Sequence, residues 1–511
     1  MRKILLLALL LISGFVLVAC DQVSTTSAVA STTTSTLTGT TSSFLTSTTS
    51  TSMTVPTSSM TTMHTTTLPT TITTLPPTTT TSTTTTSYQY APIEVSSAVY
   101  EEARKSFKFF WEVVNGDPTS PGYGMIADRF NVDNLSVGNA SIASVGYGLA
   151  AIPIGIENDW IGYQEGYLRV LGTLETLKNM QRVHGFYYHF VKMSDATRAG
   201  SSEVSVIDTA ILISGAIMAG EYFGGVIKEM VDEIYQAIEW NWYFDPVRAM
   251  FYMGYDPDEG KFSGHWDHAA EQLMMYVLAA GSTNYYVGKG AYDIVKNRTQ
   301  RGSYGTSELF YISWAGSLFT YQFSHAWIDF RGIRDAAGYD WFNNSVQASI
   351  AAYDYGQQLS SIYKTFGPNA WGASASDGPD GYNGSYGNLP SMGGLRVDGT
   401  LAPYGAAASI VFTPEKSILA IEHYASIPAL QSKYGFRDAY HLGMQPTAPL
   451  SAPRPSRLIP ANGWFNSDVI GIDKGITLIM IENYRSNLVW DFFMKNEAVQ
   501  AGLQVLGFTK Q

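Results

Sequence analysis

Beyond residue 90 the sequence predicts an all-α fold, an α/α barrel of helical hairpins with short hairpins on its rim. Three observations carry that expectation. Helical periodicity dominates, nearly all-apolar helical stretches alternate with amphipathic ones, and alternating β-runs are few and short. Val206 to Phe223 is apolar almost all round, as a helix buried on most sides must be, whereas Val226 to Trp242 exposes Lys228, Glu229, Asp232, Glu233 and Glu239. Buried helices inside a ring of amphipathic ones give that alternation. A long α-solenoid is the alternative, but no regular sequence period of the repeat type is visible.

Taken in order, the chain begins with a basic Met1-Arg2-Lys3, an apolar run from Ile4 to Val18, and then Leu17-Val18-Ala19-Cys20. The run is shorter than the roughly 20 residues of a membrane span, and it ends on small residues, as a signal peptide does. Leu-x-Ala-Cys resembles a bacterial lipobox, so residues 1–19 are expected to be cleaved off and Cys20 to be lipidated, giving an exported lipoprotein of the cell envelope anchored to a bacterial membrane. Cys20 is the single cysteine of the chain, which leaves the folded part no disulfide, thiolate nucleophile or cysteine metal site. Residues 20–89 are almost wholly Ser and Thr with scattered Pro. Such a segment cannot bury a core and is expected to be a disordered stalk.

Residues 90–511 are globular in composition and exceed the usual size of one core, so one toroidal domain or two domains fit their length. A net charge of −12 argues against nucleic acid or an anionic polymer as partner. Helices are predicted over Val99 to Val114, Tyr163 to Met180, Val206 to Phe223, Val226 to Trp242, His268 to Ala280, Trp341 to Phe366, Pro414 to Ala425 and Lys474 to Met494. Phe186 to Val191 and Met250 to Tyr255 read as rim hairpin strands. A monomer without cofactor is expected.

The residues able to do chemistry lie in the gaps between helices. Trp371-Gly-Ala-Ser-Ala-Ser-Asp-Gly-Pro-Asp-Gly-Tyr382 brackets Asp377 and Asp380 between two aromatics on a glycine-rich loop. Carboxylates beside aromatic faces suit a carbohydrate: ring C–H faces pack on aromatics, and carboxylates accept hydroxyls or move protons. Glu203 precedes the apolar helix and lies outside the Ser205/Asp208 capping spacing, so partial desolvation there should raise its pKa, as a general acid needs. Asp128 stands beside Arg129, which should keep it ionised as a base or hydroxyl acceptor, with Asp133 nearby. His265-Trp-Asp-His-Ala-Ala-Glu271 lacks the i, i+4 histidine spacing of a zinc helix, so no metal is expected; Trp266 fits a sugar platform and Glu271 a hydroxyl contact. Ser324-His-Ala-Trp-Ile-Asp-Phe-Arg-Gly332 offers His325, Trp327, Asp329 and Arg331, with His325 and Asp329 able to orient each other or to form a buried polar network. The same chemistry on separate loops, with no nucleotide motif, points to a glycan cleft.

Ala127-Asp-Arg-Phe130, Glu203-Val-Ser-Val-Ile-Asp-Thr209, Ser324 to Gly332, Trp371 to Tyr382, Asp398-Gly-Thr-Leu-Ala-Pro-Tyr404, Phe412-Thr-Pro-Glu415 and Ile481-Glu-Asn-Tyr-Arg-Ser486 together resemble the bacterial glycoamylase-like domain, which includes endo-β-1,2-glucanases of glycoside hydrolase family 144. The resemblance runs in order through nearly the whole globular part. It implies an (α/α)6 barrel and hydrolysis of β-1,2-glucan with inversion, with Glu203 at the position of the proposed acid and Asp128, then Asp133, as candidate bases, Asp377 a third choice for catalysis. It also implies that the base can act through a substrate hydroxyl. Trp266, Trp327, Trp371 and Tyr382 are expected to line subsites, with Arg129, Glu271, His325, Asp329, Arg331 and Asp380 as further sugar contacts. A non-catalytic glycan-binding lipoprotein and a glucan-remodelling transglycosylase are the alternatives.

Overall fold

The computed structural model describes residues 88–511; the expected signal peptide, the expected lipidation at Cys20 and the expected stalk up to residue 87 lie outside the described residues. Residues Thr85–Gln511 make one compact unit. Its helices alternate along the chain between outer and inner: α1 (Ser97–Glu112) then α2 (Ile142–Glu157), α3 (Tyr163–Asn179) then α4 (Val206–Phe223), α5 (Gly225–Gln236) then α6 (Leu273–Gly281), α7 (Lys289–Arg298) then α8 (Phe323–Trp327), α9 (Trp341–Leu359) then α10 (Pro403–Ala407), and α11 (Pro414–Ala425) then α12 (Gly471–Ser486), with α2 packed on α3, α4 on α5, α6 on α7 and α10 on α11. Two further helices, α13 (Leu488–Phe493) and α14 (Glu497–Leu506), end the chain. The expected (α/α)6 barrel is therefore present as six hairpins.

Burial separates the two rings. In α2 every residue from Ile142 to Gly155 is buried, and α6 is buried throughout. Outer α5 buries only the stripe Ile227, Val231, Ile234 and Tyr235, the i, i+4, i+7, i+8 spacing of one helical face. Inner α2 packs on α4, α4 on α6, α6 on α8, α8 and α10 on α12, and α12 back on α2. Each fully buried Leu, Ile or Val contributes about 1.5–3 kcal/mol. A buried ion pair, Lys474 Nζ to Glu102 Oε1 at 2.8 Å, ties α1 to α12, and Glu102 also accepts the Phe436 N–H.

The strands are short and sit where the chain enters the inner helices. Ala140–Ser141 pairs with Phe190–Val191, Val204–Ser205 with Gly254–Tyr255, and Asp468–Ile470 with Arg129–Asn131, all antiparallel. Each strand leading into one inner helix thus pairs with the entry segment of its neighbour, and the last pairing joins the final hairpin to the first. The N–H groups that begin these helices use the same segments: Ile142 donates to His189 O (3.1 Å), Val206 to Met253 O (3.2 Å) and Gly471 to Asp128 O (2.6 Å).

Several boundaries differ from expectation. The helix expected over Lys474 to Met494 breaks at Asn487, whose left-handed φ of 62° caps α12 and starts α13. Val226 to Trp242 ends as α-helix at Gln236, with a separate 3-10 turn over Trp240–Tyr243. The 371–382 loop contains a hairpin, Ser376–Gly378 against Gly381–Asn383. Helix α2 has no counterpart among the predicted helices, because Gly146, Gly148, Pro153 and Gly155 read as breakers. Two of these glycines' functions are visible at the α2–α4 crossing. A Cβ on Gly215 would stand 1.8 Å from Gly146 O, and one on Gly146 would stand 2.5 Å from Leu212 Cα.

Because backbone meets backbone there, Gly215→Ala is expected to cost about 1–3 kcal/mol or more of stability. Gly290→Ala, where a Cβ meets nothing within 4 Å, is expected to cost none. Urea-unfolding midpoints of the two variants test this; equal midpoints would contradict the close crossing.

Candidate active site

The inner helices begin at one end of the barrel, and acidic side chains gather on their first turns. Asp208 lies in the first turn of α4 and Asp473 in the first turn of α12. Both follow an extended cap residue and an isoleucine, in Val206-Ile-Asp208 and Gly471-Ile-Asp473. Glu271 stands two residues before α6. A helix N-terminus carries unpaired N–H groups and the positive end of its dipole, so carboxylates are stabilised there.

On one side of this cluster the His189 ring bonds Glu203 Oε1 through Nδ1 (2.8 Å), while Nε2 lies 3.7 Å from Asp208 Oδ2. Ser205 Oγ donates to Asp208 Oδ2 at 2.5 Å and accepts from the Asp208 N–H. On another side Arg129 fans out to Asp128 (3.2 Å), Asp377 (2.9 Å) and Asp468 (3.2 Å). Asn466 donates to both Asp377 and Asp438, and the Asp377 N–H donates to Asp438. Asp438 and Asp473 hydrogen-bond carboxyl to carboxyl, which requires a proton between them.

The electrostatics reverse the expected protonation of the two leading residues. Burial pushes Glu203 up, but the His189 hydrogen bond and charge outweigh it and hold the carboxyl below its ordinary value. His189 is raised to about 9: burial opposes its charge, and Asp208, Glu203 and Asp128 together prevail. Asp128 is raised, since burial and Asp208 outweigh the pull of Arg129 and His189. Glu271 is pushed up to about 7, first by burial, with Asp208 adding to the rise. Asp438 is pushed up to about 7 by burial and then by the charge of Asp377, with the Asp473 hydrogen bond pulling the other way; Asp473 is raised by burial and then by Asp438.

Asp128, Glu203 and Asp377 are thus brought together, with Arg129 and Glu271 beside them. Tyr382 faces Asp377 across the hairpin and is 56% exposed. Burial, and then the charges of Asp473, Asp438, Asp128 and Asp377, raise the pKa of its hydroxyl.

Other expected residues lie elsewhere. Trp327 and Trp371 are wholly buried and Trp266 is 7% exposed; Trp327 stacks on Tyr147 at 5.5 Å, and Trp371 meets Tyr353 edge-on. These three fill the core and present no face to a sugar. His325 is 2% exposed, bonds Ser345 rather than Asp329, and burial drops its pKa to about 3. Asp329 and Arg331 follow the C-terminal end of α8, pair with each other at 2.8 Å, and lie against Trp490 of α13, away from the inner-helix N-termini. Asp133 is exposed on its loop and pairs with Arg437 at 2.8 Å. Asp380 accepts the Ser456 and Arg457 N–H groups and the Ser456 hydroxyl, pinning that segment to the hairpin tip. The residues that the sequence reading missed are His189, Asp438 and Asp473, and it took Asp208 for a cap. The Ile-Asp pair repeated at the starts of α4 and α12 was the one available signal.

An (α/α)6 barrel with a carboxylate-lined mouth is the class these features define. The family model described as "Putative glucoamylase" matches residues 263–497, and the resemblance to glycoamylase-like domains holds. A curated relative, the exo β-1,2-glucooligosaccharide sophorohydrolase of Parabacteroides distasonis, is 26% identical over 83% of this chain; the chain spans 59% of that relative's length. Among solved structures, the "putative glucoamylase" of Bacteroides caccae aligns with TM-score 0.70 and 25% identity over 81% of this chain and 99% of its own. The endo-β-1,2-glucanase of Chitinophaga pinensis, solved with sophorotriose and glucose, aligns with TM-score 0.69 and 23% identity over 82% of this chain and 99% of its own.

Because His189 is raised when folded, its charge stabilises the protein fully below the unfolded value near 6.5, and that contribution is lost as pH climbs through about 9. The wild type's stability margin over His189→Gln should therefore shrink between pH 6.5 and 9. Urea unfolding across that range, with NMR titration of the imidazole, measures it; a midpoint near 6.5 would contradict the pair.

Proposed function

We propose that this protein is a glycoside hydrolase that cleaves β-1,2-linked glucan with inversion at the anomeric carbon. The observation that carries the reading is the meeting of Glu203 and Asp128 at His189, which bonds the first and feels the charge of the second. Support for the substrate comes from the relatives, whose names specify β-1,2-glucans.

In this mechanism Glu203 and His189 act as one acid. Their proton rests on the imidazole in the free protein, and it passes through the Glu203 carboxyl to the glycosidic oxygen as the C–O bond breaks. Asp128 takes a proton from the attacking water, directly or through a substrate hydroxyl, while the water oxygen bonds the anomeric carbon from the opposite face. The elevated proton affinity of Asp128 makes it a better base than an ordinary aspartate. Tyr382 offers an exposed ring to the sugar.

Glu203→Gln is expected to lower kcat about 10²–10⁴-fold on linear β-1,2-glucan while binding persists. Release of reducing sugar at the wild-type rate would remove Glu203 from the acid role. Early product examined by polarimetry should be the α-anomer, and a β-anomer released first would rule out inversion.

We also propose that the chain is anchored to the cell envelope through Cys20, supported by the basic start, the apolar run and Leu17-Val18-Ala19-Cys20. Labelled fatty acid should enter the wild type and not Cys20→Ser; equal labelling of both would refute the anchor.

A further inference from the structure

Glu271 is nine-tenths buried; its backbone carbonyl accepts from Ser324 Oγ, while the hydrogen bond recorded for its carboxyl comes from its own backbone N–H. A buried carboxyl left with so little is costly unless a ligand completes it. It lies within electrostatic reach of Asp208, which neighbours the His189–Glu203 pair, and of His268. His268 is held by Asp267 at 2.6 Å, and its ring is tilted against the Trp314 indole with centroids 6.1 Å apart. Glu271 thus feels both the Asp208 charge beside the His189–Glu203 pair and the His268 ring that lies against Trp314.

Trp314 is 46% exposed, unlike the core tryptophans Trp266, Trp327 and Trp371. Its back is supported by the Gly393–Gly394 turn. A Cβ on Gly394, at φ +69°, would lie 2.3 Å from the indole nitrogen, and one on Gly393 would lie 3.0 Å from the ring. The Gly393 N–H donates to Trp314 O at 2.8 Å and Met392 N–H to Ser313 O at 3.2 Å, which fixes the turn under the ring. An exposed, rigidly backed indole beside the polar Asp267–His268 pair suits a pyranose ring, with an apolar face to stack and hydroxyls at its edge.

We propose that Trp314, the Asp267–His268 pair and Glu271 form a sugar-binding subsite for a glucose unit beyond those flanking the bond that is cut. The indole takes the apolar ring face, Asp267 and His268 meet hydroxyls at the rim, and Glu271 meets a hydroxyl that enters the barrel mouth. This subsite rests on the β-1,2-glucan reading and deepens it, because it makes binding depend on chain length. It is separate from the Asp377–Tyr382 hairpin.

The test compares wild type, Trp314→Ala, Trp314→Phe and His268→Ala on linear β-1,2-glucan and on a size series of β-1,2-glucooligosaccharides, with thermal midpoints recorded for each. Loss of one stacked ring should raise KM about tenfold for long substrates and leave kcat within about twofold. The penalty should vanish for oligosaccharides too short to reach Trp314, and Trp314→Phe should restore most of the loss. His268→Ala should shift KM in the same direction and keeps the question open to measurement if Trp314→Ala fails to fold. Unchanged KM and product lengths in an active Trp314→Ala enzyme would overturn the subsite and leave the glucan reading standing, as would a fall in kcat with KM unmoved. A wild type that neither binds nor cleaves β-1,2-glucan would overturn both.

Discussion

Everything at the mouth of this barrel depends on how the buried N-termini of the inner helices are satisfied. A helix leaves its first N–H groups without intrahelical partners, and a ring of inner helices collects those donors at one end. Here the backbone of the neighbouring entry segment supplies acceptors: His189 O for Ile142, Met253 O for Val206 and Asp128 O for Gly471. The short strand pairs beside these bonds hold each entry segment on its neighbour, and the pair between 129–131 and 468–470 joins the two ends of the folded chain. The residues that carry those carbonyls, or stand next to them, are the ones that reach into the cleft. His189 and Asp128 are both acceptor backbones and functional side chains, so closing the barrel also places the site.

The same helix ends explain why so many carboxylates tolerate one another there. Asp208 and Asp473 lie on first turns, where the helix dipole favours negative charge. Arg129 spreads one guanidinium over Asp128, Asp377 and Asp468, and protonated His189 serves Glu203 and Asp208. Where the nearby cations do not offset burial, a proton does: Asp438 and Asp473 are both raised by burial, against the pull of Arg129 on the first and Lys474 on the second. The outcome is a set of carboxyl groups with divergent proton affinities in one cleft, which is the condition for splitting acid and base roles between chemically similar side chains.

That environment also accounts for the reversal at Glu203 and Asp128. From the sequence, Glu203 has only a hydrophobic neighbour, Val204, and Asp128 only a cation, Arg129. In the fold, Glu203 meets His189, fourteen residues away in sequence, while Arg129 is shared with Asp377 and Asp468 and leaves Asp128 short of compensation against burial. The tryptophans failed as subsite residues for a related reason. Trp266, Trp327 and Trp371 sit beside polar residues in sequence, but their rings fill the space between the helices. Trp314 had no carboxylate close in sequence to mark it, and its exposure is produced by a glycine turn about eighty residues further on.

By itself the sequence determined the fold class, because alternation between all-apolar and one-faced helices is a local property of the chain and has few three-dimensional solutions. It also determined the loops that supply Glu203, Asp128, Arg129, Asp377 and Tyr382, since glycine, proline and capping residues mark where helices stop. Only the tertiary structure decided which of these side chains share a cleft, which tryptophans are core, and which carboxyls hold protons. Those outcomes depend on burial and on the charges brought close by non-local packing. The two-ring architecture supplies both, and neither is written in any single window of residues.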